Sequence, residues 1–326
     1  MKRREIIVAI AGALATPLAS FAQQRAAKVY RIGFLGISYA SGYVQEIDWV
    51  RAGLRASGYI EGANLAIEFR WANGDTKKLQ QLAAEFAALK VDAIVTHAIP
   101  GALAAIRETS AIPIVMLDGS DPVAVGLASS LAQPGKNVTG SFSFVPEETG
   151  KRLQLLKEAV PQVKRLAFLF STLDPVVAAK RGALQAAADA LRVEVLDFSV
   201  SEIAELPKAF NAIGSARTEG FLLNSEPLLN SNAATVAALA QSKGLASIGY
   251  ASFADVGGLL AYGANRQALY GRAGYFLDRI FKGEKAGSIP FERASRFDTV
   301  VNQKTAKALG IRIPQSFLLR VDRVIE

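Results

Sequence analysis

The side chains able to take part in chemistry cluster just after apolar runs. The sharpest case is the stretch from Ile112 to Leu127, IPIVMLDGSDPVAVGL, in which Ile112 to Leu117 reads as a strand and Asp118, Ser120 and Asp121 follow at once. Ser38 and Tyr39 follow the run Val29 to Gly36, and His97 follows Val91 to Thr96. Thr172 and Asp174 follow Arg165 to Phe170, Asn224 and Glu226 follow Gly220 to Leu223, and Tyr250 closes Ala246 to Tyr250. Carboxylates take an ammonium, hydroxyls and free helix amides take a carboxylate, and Tyr or His stacks on a ring. That mixture suits an amino acid or a similar small polar ligand. Each residue also has a plainer reading. Asp121 before Pro122 is the pair a helix start prefers, Asp118 suits a turn, and Asp174 and Asn224 suit caps. His97 can be an interior histidine, and Tyr39 and Tyr250 ordinary aromatics.

Reactive constellations are scarce. His97 is the single histidine, which excludes zinc sites with two histidines and leaves one candidate for a histidine-based triad. No cysteine occurs, so disulfides, thiolate metal sites, thiol nucleophiles and an N-terminal lipidated cysteine are all excluded. Gly36-Ile37-Ser38-Tyr39-Ala40 imitates a nucleophile elbow but lacks its second glycine. No G-x-G-x-x-G opens a helix and no GK[ST] is present, so nucleotide phosphates have no cradle. The expectation is a binding protein, not an enzyme, with no catalytic residue, metal or cofactor.

The elements that position these residues alternate. Val44, Ile47, Val50 and Leu54 recur at helical spacing, Asn64 to Trp71 alternates as a strand, and Leu79, Leu82, Ala83 and Phe86 form the next helical stripe. Gly101 to Thr109 returns as a helix, and Asp121-Pro122 is expected to open another. After the strand Asn137 to Ser143 comes a helix from Glu147 to Val160, and then the alternation restarts. Helices are expected up to Leu191, over Glu202 to Ile213, up to Lys243 and over Gln267 to Phe281. Successive βα units call for parallel sheets covered on both faces. The fold expected is α/β, with two αβα lobes on parallel central sheets joined by a hinge of several crossovers. The lobes are read as 29–140 plus about 262–288, and 141–261 plus about 289–326, with a ligand cleft between them.

Residues 1–22 read as a separate unit. Lys2, Arg3 and Arg4 precede an apolar run from Ile6 to Leu18, and Ser20-Phe21-Ala22 supplies the small residues of a cleavage site. The run is too short to anchor in a bilayer. A cleaved export signal and a free periplasmic protein are expected, by either the general or the twin-arginine route. The +8 formal charge is scattered, with no basic stripe interleaved with aromatics, which speaks against nucleic acid as a partner.

Longer segments carry a family resemblance. GLRASGYIEGANLAIEFRWANGD (Gly53 to Asp75), LAAEFAALKVDAIV (Leu82 to Val95), IPIVMLDGSDPVAVGLASSLAQPGKNVTG (Ile112 to Gly140), GKRLQLLKEAVPQVKRLAFL (Gly150 to Leu169), GGLLAYGAN (Gly257 to Asn265) and NQKTAKALGIRIP (Asn302 to Pro314) together resemble ABC transporter substrate-binding proteins of the tryptophan/tyrosine-binding type. The resemblance implies a type I periplasmic-binding fold that closes on a small organic ligand. It implies delivery of that ligand, by a monomer, to an inner-membrane ABC permease driven by a separate ATPase. Carried onto this chain, it places cleft positions at Ser38, at His97-Ala98, at Asp118 to Asp121, at Thr172 and at Asn224 to Glu226. Relatives often have a small residue or Thr at His97. An imidazole there can stack, donate a hydrogen bond or change charge near neutral pH. A periplasmic sensor feeding a kinase or chemoreceptor, or an exported enzyme, are the competing expectations.

Overall fold

The structure is a computed structural model that describes residues 28–144, 147–174 and 176–326. The export signal read over residues 1–22 lies outside the described residues. Among those described, the strands form two sheets, of six and seven strands.

The first sheet is built from β1 (Tyr30–Gly36), β2 (Leu65–Trp71), β3 (Ala93–His97), β4 (Ile114–Ser120), β5 (Val138–Phe144) and, far along the chain, β11 (Glu292–Arg293). All its pairs are parallel, in the order β11-β5-β4-β3-β1-β2. The second holds β6 (Arg165–Ser171), β7 (Glu194–Val200), β8 (Gly220–Leu223), β9 (Ala246–Gly249), β10 (Leu260–Ala264), β12 (Phe297–Asn302) and β13 (Arg323–Ile325). Its order is β13-β12-β10-β9-β8-β6-β7, with β10 and β12 antiparallel. Each sheet thus runs second-first-third-fourth-fifth in its own strands. The order reverses between β1 and β3 in one and between β6 and β8 in the other. Side chains beyond the carboxyl ends of strands at such a reversal line a crevice, because the helices leave on opposite faces.

Residues alternate between the two faces of each strand, and both faces are dry. On β1, Phe34 packs with Leu54, Tyr270 and Phe276, while Leu35 packs with Phe86, Met116 and Phe142 on the other side. On β6, Phe168 joins Leu156 and Leu222, while Leu169 joins Phe210, Phe221 and Phe253. Helices α1 (Val44–Ala56), α2 (Thr76–Leu89) and α3 (Ala98–Glu108) cover the first sheet. The second carries α4 (Glu147–Ala159), α5 (Val177–Leu191), α6 (Leu206–Ser215), α7 (Pro227–Asn230) and α8 (Ala233–Ser242).

The chain passes between the sheets three times: after β5 into α4, after β10 into α9 (Arg266–Gly271), and from β11 into β12. α9 and α10 (Ala273–Phe281) return to pack on α1. The contact is backbone on backbone: a Cβ on Gly53 would lie 2.0 Å from the Gly271 carbonyl oxygen, and one on Gly274 would lie 2.1 Å from that of Gly53.

Several local expectations change. The stretch after Asp121 is a turn rather than a helix. Leu127 N–H and Ala128 N–H both bond the Pro122 carbonyl, Gly126 takes a positive φ of 70°, and the chain then runs on to β5. The helix read over Gln267 to Phe281 is two helices meeting at Arg272, and that read up to Lys243 is the pair α7 and α8. α3 starts at Ala98, directly after β3, rather than at Gly101. Val44 faces solvent, and Glu46 takes the buried place on α1. Strand pairing carries the first sheet on through β5 and takes in β11, beyond the boundaries read at 140 and 288.

Candidate functional site

At the carboxyl edge of the first sheet the backbone is strained in two adjacent places. Ala98, next after β3, has φ 55° and Asp118, near the end of β4, has φ 52°. A Cβ built on Gly119 would sit 3.6 Å from Ala98 Cα, so the two segments touch. Asp tolerates the left-handed region, but Ala has no side-chain oxygen to compensate, and such residues persist only where their surroundings hold them.

Around this edge lies a polar cluster. Arg266, at the start of α9, places Nη2 2.9 Å from Glu46 Oε1 and Nε 3.6 Å from Asp118 Oδ2. Ser143, on β5, donates a short hydrogen bond to the other Asp118 oxygen. Burial opposes the Arg266 charge, but Tyr270, Asp118 and Glu46 together overcome it and keep the guanidinium protonated. Tyr43 Oη lies 3.3 Å from His97 Nδ1 and accepts from the Ile37 amide beside Ser38. The His97 ring is nearly parallel to Tyr270, at 6.3 Å between centroids.

Burial, with a smaller push from Arg266 and against the pull of Asp118, lowers the His97 pKa to about 4. The imidazole is therefore neutral at pH 7, and the idea that it changes charge near neutral pH is corrected. Below about pH 6.5 the unfolded chain protonates here while the folded chain does not, so stability falls as pH drops from 6.5 towards 4. His97→Asn is expected to flatten this part of the stability profile, compared by urea unfolding at pH 7 and pH 5. An equal pH 5 loss in both proteins would show that His97 is not the group responsible.

The second sheet's edge carries its own network. Asp174 Oδ2 accepts from Lys180 Nζ at 2.5 Å and from Asn224 Nδ2 at 2.7 Å, while its Oδ1 accepts the Val176 amide at 3.0 Å. Burial lowers the Lys180 pKa, and Asp174 opposes that shift. Asn224 is 1% exposed, and its Oδ1 has no hydrogen-bond partner among the described residues. Glu226 binds the Leu228 and Leu229 amides and so caps α7; burial raises its pKa against those bonds. Tyr250 Oη bonds the Asn230 carbonyl. Burial raises the Tyr250 pKa, and the charge of Arg266 is near enough to oppose the shift. Arg266 on α9 and Tyr250 after β9 therefore stand within electrostatic reach of each other across the two sheets.

A family model described as ABC transporter substrate binding protein matches residues 39–325. The chain belongs to that family. A tyrosine-binding protein of Clostridioides difficile (strain R20291) is 27% identical over 267 residues, which is 79% of this chain and 74% of the relative. A conserved domain protein from Vibrio cholerae O1 biovar El Tor superimposes with TM-score 0.83 at 26% identity, covering 91% of this chain and all of the other. An ABC domain from Streptococcus pneumonia in complex with L-Trp gives 0.80 at 25% identity, covering 91% and 99%. The two sheets are those of the type I periplasmic-binding fold.

In this ABC substrate-binding protein the residues singled out from sequence separate into two kinds. Ser38, His97, Ala98, Asp118 and Ser120 come together at one sheet edge, and Thr172, Asp174, Asn224 and Tyr250 at the other. Thr172 is exposed and Tyr39, at 60% exposure, packs into no core. Asp121 and Glu226 are committed to local backbone: Asp121 Oδ1 accepts the Val123 and Ala124 amides. Sequence reasoning missed Arg266, Glu46, Tyr43, Ser143 and Lys180. Glu46 had a signal, a carboxylate on the apolar stripe of α1, but its partner lies 220 residues away.

Proposed function

We propose that this substrate-binding protein captures an amino acid, with tyrosine and tryptophan as the first candidates, between the two sheet edges and hands it to an ABC permease. The first lobe is the six-stranded sheet with α1–α3, α9 and α10, and the second is the remainder. The carrying observation is the bare acceptor on Asn224. A buried amide oxygen without a partner is costly in an empty protein, and a ligand ammonium supplies the missing donor. On the other sheet's edge, Ser38 and the uncapped first turn of α3, an eleven-residue helix, suit the ligand carboxylate. The left-handed Ala98 stands at the start of that turn. His97, neutral at pH 7, and the exposed Tyr39 offer faces to an apolar side chain. The L-Trp complex of the pneumococcal relative and the tyrosine-binding relative support the ligand class.

Residues of both lobes contact the ligand in this arrangement, so binding favours closure by the difference in contacts between open and closed forms. Residues 1–22 act as the export signal, the protein works as a monomer in the periplasm, and a separate ATPase drives the permease. Thermal unfolding against a panel of amino acids tests the ligand class. A ligand at a hundred times its Kd adds about 2.7 kcal/mol of stability. Tyrosine or tryptophan is expected to give such a shift. If no amino acid moves the midpoint of protein stripped of cargo by unfolding and refolding, the assignment fails.

A further inference from the structure

A cavity of about 300 Å³ lies where the chain crosses between the sheets, lined from β5, from α9 and from β11 with the link that follows it. β5 contributes Ser141, the two ends of α9 contribute Asn265 and Arg272, β11 contributes Glu292 and Arg293, and the link to β12 contributes Arg296. Two features show what it would hold. The first is charge. Arg272 and Glu292 satisfy each other through two hydrogen bonds, and Arg272 stacks on Tyr275 at 3.8 Å. Arg293 has no side-chain partner among the described residues, and Arg296 is mostly exposed, with only Asp298 at 3.9 Å. The lining is therefore cationic, with two guanidinium groups uncommitted or nearly so. The second feature is independent of the first. Ser141 is 1% exposed, yet its hydroxyl has no hydrogen-bond partner among the described residues. It faces Glu292 in the register of β5 and β11, beside the arginines. A buried hydroxyl left unpaired is unfavourable, and an acceptor brought in from outside would satisfy it.

We propose that this hinge cavity binds a small, multiply charged oxyanion, of the phosphate or polycarboxylate type. Arg293 and Arg296 supply the charge-assisted hydrogen bonds, and Ser141 Oγ donates a further one. The arginine fork suits planar carboxylate and phosphate oxygens alike. The site is separate from the amino-acid crevice, although it adjoins it: Asn265 lines the cavity while the next residue, Arg266, holds Glu46 and Asp118. On β5, Ser141 and Ser143 lie two residues apart on the same face, one at the cavity and the other on Asp118.

Isothermal titration calorimetry of inorganic phosphate, succinate and citrate into the purified protein, at fixed ionic strength with chloride as the control anion, tests the site and separates the two oxyanion types. Saturable heat is expected from at least one of the three. In Arg293→Gln/Arg296→Gln the affinity for that anion is expected to fall at least tenfold, with the thermal midpoint of the anion-free protein little changed. Ser141→Ala, which removes the hydroxyl donor, is expected to weaken the binding of that anion. No saturable heat from any of the three anions, or equal affinity in the double arginine variant, would overturn the proposal. Amino-acid binding is measured separately, so failure here leaves the crevice assignment standing and failure there leaves this site standing.

Discussion

Arg266→Met is expected to destabilise the protein by about 3–5 kcal/mol, because it leaves buried carboxylate without its counter-charge. Glu46 is 5% exposed and points at Arg266 from α1, and Asp118 retains only its bond from Ser143. Methionine keeps most of the side-chain volume, so the loss reports the charge more than a cavity. The double variant Glu46→Gln/Arg266→Met removes one stranded charge and is expected to recover a substantial part of the stability. That recovery separates an electrostatic origin from a packing one. Urea unfolding of the four proteins in the cycle measures it. A single-variant cost below about 1 kcal/mol, the range of a surface pair, would show that the Arg266 cluster does not hold the first sheet's edge.

Lys180→Met should be of comparable size, again about 3–5 kcal/mol. Lys180 and Asp174 are each 3% exposed at the side chain and 2.5 Å apart, so the substitution strands a carboxylate in the second sheet's edge. Asp174 also orients Asn224 through a 2.7 Å bond. The same change should therefore weaken amino-acid binding through Asn224, without Lys180 itself touching the ligand. Asp174→Asn in the Lys180→Met background removes the stranded charge and is expected to restore stability more than affinity, since an amide cannot orient Asn224 in the same way. Equal recovery of both would argue that Asn224 is not positioned by Asp174.

The strand ends were readable because alternation and helical spacing mark where each strand stops, and the order reversal opens a crevice beyond those stops. Ser38, His97, Asp118, Asp174 and Asn224 lie at or just beyond such stops. What escaped was set by contacts between distant segments. Arg266 follows an ordinary helix cap at Asn265, and nothing near it in sequence points to Glu46 or Asp118. Lys180 lies in a helix whose local pattern does not show that it turns inward onto Asp174. The left-handed backbone at Ala98 has no sequence signature, since Ala is a strong helix former. Asp121-Pro122 failed as a helix start for a different reason. The capping bonds to Val123 and Ala124 form as expected, but Gly126 breaks off the turn one residue before Leu127 buries. The split of the 266–281 helix at Arg272 goes with the close approach of Gly53 to the Gly271 carbonyl, a tertiary contact invisible to local periodicity.

If one amino acid is held by both sheet edges at once, a polar contact from each edge contributes to its affinity. Calorimetric titration of the ligand found by thermal shift, into the wild-type protein, Ser38→Ala and Asn224→Ala, tests it most directly. Each substitution removes one polar contact from one lobe, a loss of about 1–3 kcal/mol. Both variants are therefore expected to raise Kd by roughly fivefold to a hundredfold or more. A variant that stays folded and binds with wild-type affinity, in either lobe, would contradict a ligand shared between the two edges.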